Sequence, residues 1–450
     1  MKVAIVGAGP AGIAAASVLV AHGVAPVVID EAQRPGGQIY RQPRPGLRLD
    51  IEGLLGAEAE NYRRTHAAFD ALRDRIDYRP QTLAWAVDDR ALYTLRRDEA
   101  ATIDFDALIL ATGATDRTLP VAGWTLPGVF TLGGAQVLLK EHGCMIGRRV
   151  AFCGSSPLLY LAATQYRQMG AEIVAVLDTT PFAGKIAAAN DLLAAPGTFA
   201  RGLRYMASLR RAGVALYHGV TLRAFVGVAG VEAVRFVDRN GEESTLACDA
   251  VAFGFGLKPE TQLAELAGVP LDYDPVFRQW LPRVDTDGRC GSIYLAGDGA
   301  TVGGAQAAAL TGTLAACAVL EDHKVAVTGV DRARARRQVA RLRRFQRGLA
   351  RAFAWPVEVI HGLDDGVMIC RCEGIAAGDL RAAIRADFGP TEVNRLKAIT
   401  RCGMGRCQGR FCALAAAELT AQARGVPLEA VGRLRVQPPV KPLPLLAKSP

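Results

Sequence analysis

Read as alternating apolar and polar positions, the chain opens strand, turn, helix, strand. Lys2 to Val6 is a short β-type run, and Gly7-Ala8-Gly9-Pro10-Ala11-Gly12 is a glycine turn. Ile13 to Ala21 predicts a small-residue helix, and Pro26 to Ile29 a second strand ending at Asp30-Glu31. The same order returns at Arg149: strand Val150 to Cys153, turn Gly154-Ser155-Ser156-Pro157-Leu158-Leu159, helix to Met169, strand Ile173 to Leu177, then Asp178. Two βαβ openings 147 residues apart predict an α/β protein with two dinucleotide-binding, Rossmann-like domains. Between them, Tyr78 to Asp106 breaks into short alternating runs that predict a β-meander, leading into the apolar strand Ala107 to Leu110. Ile293 to Ala296 reads as a strand and Gly304 to Val319 as a helix, both returning to the first domain. The expected organisation is therefore a first domain of 1–114 and 285–325, with a second inserted at 115–284. A basic helical linker (326–360), a Cys-rich module (361–425) and a Pro-rich tail (426–450) lying extended over a surface complete it.

Composition narrows the class. With 50% hydrophobic and 22% charged residues, the chain is globular, and collagenous, coiled-coil and disordered classes are excluded. No apolar run of about 20 residues suggests a membrane span. Lys2 before an apolar run imitates a signal peptide, but the patterned glycines and the lack of a clear cleavage site favour folded structure. The expectation is a cytoplasmic chain, with peripheral contact at the inner membrane as the alternative. Net charge is +9, and the segment Arg332 to Arg351 holds nine arginines and no acid, so the remainder is formally neutral. Nucleic-acid binding would have to rest on that one segment, without aromatic interleaving or a reading module. Val339, Leu342, Phe345 and Leu349 instead predict an amphipathic helix with one packed stripe. Its basic outer face is either solvated or a docking surface for an acidic partner.

Cysteine is uneven too. Five of ten are scattered singly over the first 369 residues, and the other five (Cys370, Cys372, Cys402, Cys407, Cys412) fall within 43. In a large chain such clustering points to metal or redox chemistry rather than a disulfide framework.

The glycine turn stands where its mechanism requires, after a strand and opening a helix, with Asp30 and Glu31 lying 18 and 19 residues beyond Gly12. Gly7 permits the tight turn, Gly9 lets the backbone approach a pyrophosphate, and Gly12 lets helix pack on strand. The helix N-terminus offers N–H groups and a positive dipole to phosphate. Asp30 or Glu31 can accept the adenosine ribose hydroxyls. Three further segments, Pro35-Gly36-Gly37-Gln38, Ala111-Thr112-Gly113 and Ile293-Tyr294-Leu295-Ala296-Gly297-Asp298-Gly299, resemble markers of the two-dinucleotide-domain flavoproteins. The resemblance implies FAD, with Asp298 bonded to its ribityl or pyrophosphate part. It also implies Gly37, Gln38, Thr112, Gly113, Gly297 and Ala305 as further contacts.

The second motif departs from that pattern. Ser156 stands where the middle glycine belongs, and Leu159 where the last does. Asp178 could still hold a ribose, which leaves NAD(P)H, another nucleotide such as ATP, or no ligand at 154–178. Disulfide reduction is disfavoured, because residues 1–369 contain no CxxC. The six histidines form no paired arrangement, and no catalytic residue is assigned.

In the Cys-rich module, an extended Cys370-Arg371-Cys372 would point both thiolates to one side. Gly403, Gly405 and Gly409 let the second segment fold tightly and turn N–H groups toward sulfur. Arg371, Arg401, Arg406 and Arg410 could offset the charge of a four-thiolate 2Fe-2S centre. Zinc also suits four thiolates, but a flavin in the same chain favours a redox cluster. Five cysteines for four positions leave the ligand set open, since Cys402 stands as far before Cys407 as Cys412 stands after it.

The module resembles the bacterioferritin-associated-ferredoxin-like 2Fe-2S domain, and Gly403 to Cys412 resembles its GMGxCQGxxC version. That resemblance implies Cys370, Cys372, Cys407 and Cys412 as ligands and leaves Cys402 spare. Over nearly the whole chain, the markers resemble the FAD/2Fe-2S subunits of bacterial opine oxidases, hydrogen cyanide synthase and dye-linked proline or hydroxyproline dehydrogenases. The family implies an oxidoreductase subunit relaying electrons from a catalytic D-amino-acid-oxidase-like flavoprotein subunit, with the option of a small third subunit. A self-sufficient NAD(P)H-dependent reductase is the alternative activity, and a non-catalytic scaffold the alternative class.

Overall fold

The computed structural model describes residues 1–444, so the end of the Pro-rich tail, 445–450, lies outside the described residues. The chain divides into two compact units.

Among the described residues the first unit comprises 1–115, 257–346 and 436–444. Its opening strand β1 (Val3–Val6) is buried at every position and lies between β2 (Val27–Ile29) and the strand Ala107–Leu110, parallel to both. Ile293–Leu295 adds beyond Ala107–Leu110, and Asp77–Arg79 beyond β2. Both faces of such a sheet are covered, which is why its strands read as continuous apolar runs. Between β1 and β2 lies helix α1 (Pro10–Ala21), with Pro10 in its first turn, where a missing N–H costs nothing. The helix Gly304–Asp322 packs on α1 so closely that a methyl group at Gly312 would stand 2.1 Å from the Ala11 carbonyl oxygen. Small residues along α1 are thus a packing requirement. The expected meander is present as the antiparallel strands Thr82–Asp88, Ala91–Arg96 and Glu99–Asp104.

Two parts of the first unit differ from the expected boundaries. Residues 257–284 belong here and not to the insertion: Thr112 Oγ1 donates to the Glu260 carbonyl at 2.6 Å, and Leu263, Ala264 and Val269 complete a core with Val87, Leu92 and Phe105. The tail joins the same core through Val440, which is buried and donates its N–H to Trp85 O at 2.9 Å. The front of the basic helix (Arg332–Ala352) is not simply solvated. Arg332 Nη2 and Arg336 Nε donate to the buried Asp287 carboxylate at 2.6 and 2.8 Å, and Ala335 and Val339 are buried beneath.

The second unit comprises 116–256 and 347–435. Strand β3 (Arg149–Gly154), helix α2 (Leu158–Gln168) and strand β4 (Glu172–Asp178) repeat the opening of the chain inside a five-stranded parallel sheet. The Cys-rich module is not a separate globule. Its Ile369, Leu380 and Leu419 share one core with Phe225, Phe236 and Phe253 of the dinucleotide-type part. A module of its size buries too little apolar surface to stand comfortably alone. Trp124 Nε1 donates to Met368 O at 2.7 Å, and Thr118 Oγ1 to Phe411 O at 3.3 Å.

No helix among the described residues is long and apolar enough to cross a membrane.

Candidate functional sites

The first site forms at the carboxyl ends of β1 and of the strands Ala107–Leu110 and Ile293–Leu295, where open α/β sheets bind ligands. Gly7 has φ +107°, and a Cβ there would lie 2.3 Å from Ala111 O; at Gly12 it would lie 1.8 Å from Gly7 O. Neither position admits a side chain. Gly9 differs: the space beside it faces Gly37, whose Cα would be 3.6 Å from an added Cβ. The Pro35–Gln38 loop is tied to the turn by Gly36 N–H donating to Ala8 O at 2.8 Å, so two glycines, Gly9 and Gly37, face each other at the N-terminus of α1. A helix N-terminus lined by glycine backbone is the arrangement that suits a pyrophosphate.

Asp30 and Glu31 separate in role. Asp30 accepts the Ala8 N–H at 2.6 Å and the Ala32 N–H at 2.7 Å, so its carboxylate also braces the glycine turn. Burial pushes its pKa above the ordinary carboxylate value, against the pull of those two N–H donors. Glu31 is exposed and takes the Lys441 ammonium at 2.6 Å. The Gln38 side chain is engaged by Arg41 at 2.9 Å. Gly113 (φ +74°) and Gly297 (φ +68°) turn the chain after their strands, and Gly299 packs against Thr112, whose Oγ1 would be 2.6 Å from an added Cβ. Asp298 accepts the N–H groups of Gly303 and Gly304 at 2.8 and 3.0 Å, at the start of the helix that carries Ala305 in its first turn. Burial raises its pKa as well. Sequence reasoning missed Thr311, which accepts the Gly297 N–H at 2.8 Å and holds this turn. No motif marks it.

The corresponding place in the second unit is differently furnished. Gly154 has φ +134° and packs on Gly254, as a dinucleotide turn would. Ser156 Oγ, however, accepts the Leu158 N–H at 3.2 Å, and both Ser156 and Leu159 are buried. Asp178 is fully buried and does not present itself to a ribose. Its carboxylate accepts the Tyr160 hydroxyl (2.6 Å), the Lys185 ammonium (2.5 Å) and the Thr180 N–H (2.9 Å), with His218 Nδ1 at 3.7 Å. The expectation that Asp178 could hold a ribose is corrected by these partners, which no spacing rule shows. Burial alone would raise its pKa, but the His218, Lys185 and Thr180 donors hold it below the ordinary value.

A group so held contributes stability above the unfolded carboxylate pKa, and that contribution is lost as pH falls through the lower folded value. Lys185→Met should therefore lower stability by about 3 kcal/mol at neutral pH, because it leaves a buried charge without its counterion. The deficit should shrink below roughly pH 4 as the carboxylate protonates. Urea midpoints of the two proteins across pH would check this; a pH-independent gap would show that Lys185 acts by packing.

The third site gathers the five clustered cysteines. The strand Met368–Cys370 stops at Cys370, and residues 371–374 form a turn closed by Gly374 (φ +70°). The segment is therefore not extended as expected: Cys370 is buried and Cys372 exposed. Cys370, Cys402 and Cys412 bring their sulfurs within 4.8 Å of one another, and the Cys407 side chain is in hydrogen-bond contact with the free thiols of Cys412 and Cys372. N–H groups of Gly403 and Glu373 point at Cys370 Sγ, and those of Phe411 and Gly409 at Cys407 Sγ. The Cys402 and Cys412 thiols, then the N–H donors, favour Cys370 as thiolate, and Cys412 does the same for Cys407; both titrate well below an ordinary thiol. Thiolates that accept several N–H bonds fit a cluster of the iron–sulphur kind. Gly405 allows the two cysteine segments to meet, since its Cβ would lie 2.3 Å from the Cys372 Cβ.

The four arginines divide. Arg371 and Arg406 are exposed, Arg401 pairs with Glu373 at 2.8 Å, and Arg410 donates to Cys407 O at 3.3 Å. The Arg371 guanidinium lies over the rings of Phe411 (4.3 Å) and Trp124 (5.5 Å), a stack across 287 positions of sequence counted from Trp124 to Phe411.

Comparison with known proteins agrees with this layout. Residues 1–313 match the family described as pyridine nucleotide-disulphide oxidoreductase, and residues 368–422 the BFD-like [2Fe-2S] binding domain. The opine oxidase A-subunit of Agrobacterium tumefaciens is 37% identical over 98% of this chain and 90% of its own length. Hydrogen cyanide synthase subunit HcnB of Pseudomonas aeruginosa is 32% identical over 99% and 98%. Among solved structures, L-proline dehydrogenase from P. horikoshii superposes with a TM-score of 0.72 over 99% of this chain and 78% of that one, at 21% identity, a likeness of fold.

Proposed function

The chain belongs to the family of the opine oxidase A-subunit and hydrogen cyanide synthase subunit HcnB, FAD- and 2Fe-2S-binding oxidoreductases, and from that premise we propose that it is the electron-relay subunit of a hetero-oligomeric dehydrogenase. The donor substrate is a secondary amine or imino acid of the opine, proline, hydroxyproline or glycine type. It is oxidised on a partner flavoprotein subunit resembling D-amino-acid oxidase, with room in the assembly for a small third subunit. The complex works in the cytoplasm, with the inner-membrane face as its one alternative place.

The carrying observation is the contrast between the two dinucleotide-type sites. The first keeps its glycine turn and its acid; in the second the acid is already neutralised by Lys185. A chain built this way holds FAD but lacks the ribose acceptor that a reduced nicotinamide donor would use, so its electrons come from another protein.

In this reading the N–H groups at the start of α1 hold the FAD pyrophosphate, Asp30 accepts ribose hydroxyls, and Asp298 accepts a ribityl hydroxyl. Glu31, Gly37, Gln38, Thr112, Gly113, Gly297 and Ala305 complete the surround. Cys370, Cys372, Cys407 and Cys412 hold the cluster. FAD, when bound, exchanges two electrons with an organic donor and one at a time with iron–sulphur. The chain's own part is to fix both groups and to aim N–H dipoles at the sulfurs.

The test mixes the purified chain anaerobically with NADH and then NADPH. Flavin and cluster absorbance should remain oxidised for minutes, while dithionite reduces both. Bleaching within seconds would establish the NAD(P)H reductase instead. Addition of the co-purifying partner and its imino acid should then reduce the flavin; a flavin still oxidised with partner and substrate present would favour the scaffold reading.

A further inference from the structure

Five thiols converge where a binuclear cluster takes four, and we propose that the fifth, Cys402, is a reserve ligand exchangeable with Cys412. The inference rests on the 2Fe-2S reading of this site. Cys402 is not a bystander in an apolar core: its sulfur is within 4.8 Å of both Cys370 and Cys412, and all three residues are 1% exposed. Cys372, by contrast, is exposed and meets Cys407. The thiol able to take over a position must already stand beside the neighbour with which that position shares a metal. Cys402 satisfies this for Cys412, because the sulfurs of both lie within 4.8 Å of Cys370 Sγ.

The backbone explains how two cysteines reach one place. Cys402 and Cys412 stand five residues before and five after Cys407. Each is followed or preceded by a tight glycine turn, Gly403 at φ +92° and Gly409 at φ +78°. The two turns lie back to back: a Cβ built on Gly409 would be 3.9 Å from the Gly403 Cα, and Leu434 Cδ1 packs over both. Folding the segment in this way returns the chain to the same sulfur, Cys370, from both ends. Cys412 in addition precedes helix α3 (Ala413–Arg424) as its N-cap residue, which anchors it, whereas Cys402 hangs on the turn after Thr400.

Exchange replaces one sulfur–iron bond by another. Cys402 gives up its thiol proton as its sulfur binds, Cys412 takes up a proton as it leaves, and no electron changes hands. In a chain lacking the Cys412 sulfur the proton from Cys402 goes to solvent. The physical consequence is a cluster that survives loss or oxidation of one particular ligand and no other.

Full-length Cys402→Ala, Cys412→Ala and the double variant, purified anaerobically, test this by iron content and by EPR of the reduced state. Cys402→Ala should match the wild type in iron content. Cys412→Ala should keep at least roughly half the iron with shifted g values, and the double variant should fall below about a tenth. Cys412→Ala as empty as the double variant, with its far-UV dichroism intact, would overturn the exchange. So would a Cys402→Ala protein that loses its iron, since Cys402 would then be an everyday ligand. Wild-type protein holding zinc or no iron would instead remove the 2Fe-2S reading beneath it.

Discussion

In the Cys407→Ala variant the iron–sulphur absorption and the EPR signal should disappear, with iron below about a tenth of the wild-type content, while FAD stays bound at one per chain. Cys407 is the hinge of the thiol group: its side chain is in hydrogen-bond contact with both Cys372 and Cys412, and its own N–H points at Cys372 Sγ. Without it Cys372, which is exposed, loses the thiol that hydrogen-bonds its sulfur. Cys402 does not compensate, because its bonded neighbours are Cys370 and Cys412. FAD should be spared because every residue of its cradle belongs to the first unit and every clustered cysteine to the second. Iron analysis and a flavin spectrum on one preparation decide the matter. A Cys407→Ala protein with wild-type g values would remove Cys407 from the ligand set.

The second large effect is expected at Gly12. An alanine there would place its methyl carbon 1.8 Å from the Gly7 carbonyl oxygen and 3.0 Å from its carbon, both backbone. Nothing flexible can yield, so the turn must open, and with it the Ala8 N–H that Asp30 accepts. Gly12→Ala should purify with less than about a tenth of the wild-type flavin, a cost above roughly 1.4 kcal/mol in binding. Gly9→Ala separates binding from folding. Its methyl meets Gly37 Cα at 3.6 Å and Gly37 N at 3.9 Å, ordinary contacts, so the fold should stand while the close approach of a pyrophosphate to the Gly9 backbone is lost. Flavin retained by both variants would place the FAD phosphates elsewhere.

The two glycine-turn openings were legible because a βαβ start is written in neighbouring residues. Gly7, Gly12 and Gly154 stand where the backbone admits no side chain, and that demand is met within a few positions of sequence. The same holds for the cysteine segment, where Gly403 and Gly409 sit at positive φ in turns only a few residues long. The strand–helix order and the meander followed from period and punctuation in the same way.

Other features could not be read along the chain. That Asp178 is spent on Lys185, His218 and Tyr160 depends on which strand lies beside β4 and how the following loop folds back over it. That Cys402 belongs among the thiols depends on two turns packing against each other. Residues 257–284 belong to the first unit because Glu260 bonds Thr112, a partner 148 positions away. Trp124, which no motif marks, holds the cluster module through Met368.

Residue order was enough to set out the cofactor chemistry, two dinucleotide folds and a cysteine cluster. Backbone conformation follows from the residues that adopt it, so turns, caps and thiol spacing are local facts. Which charged and sulfur groups are already satisfied emerges only when the chain is packed. A buried carboxylate whose charge an ammonium has already met has less left for a ligand than one held only by N–H groups, and whether such a partner folds over it is decided by tertiary packing.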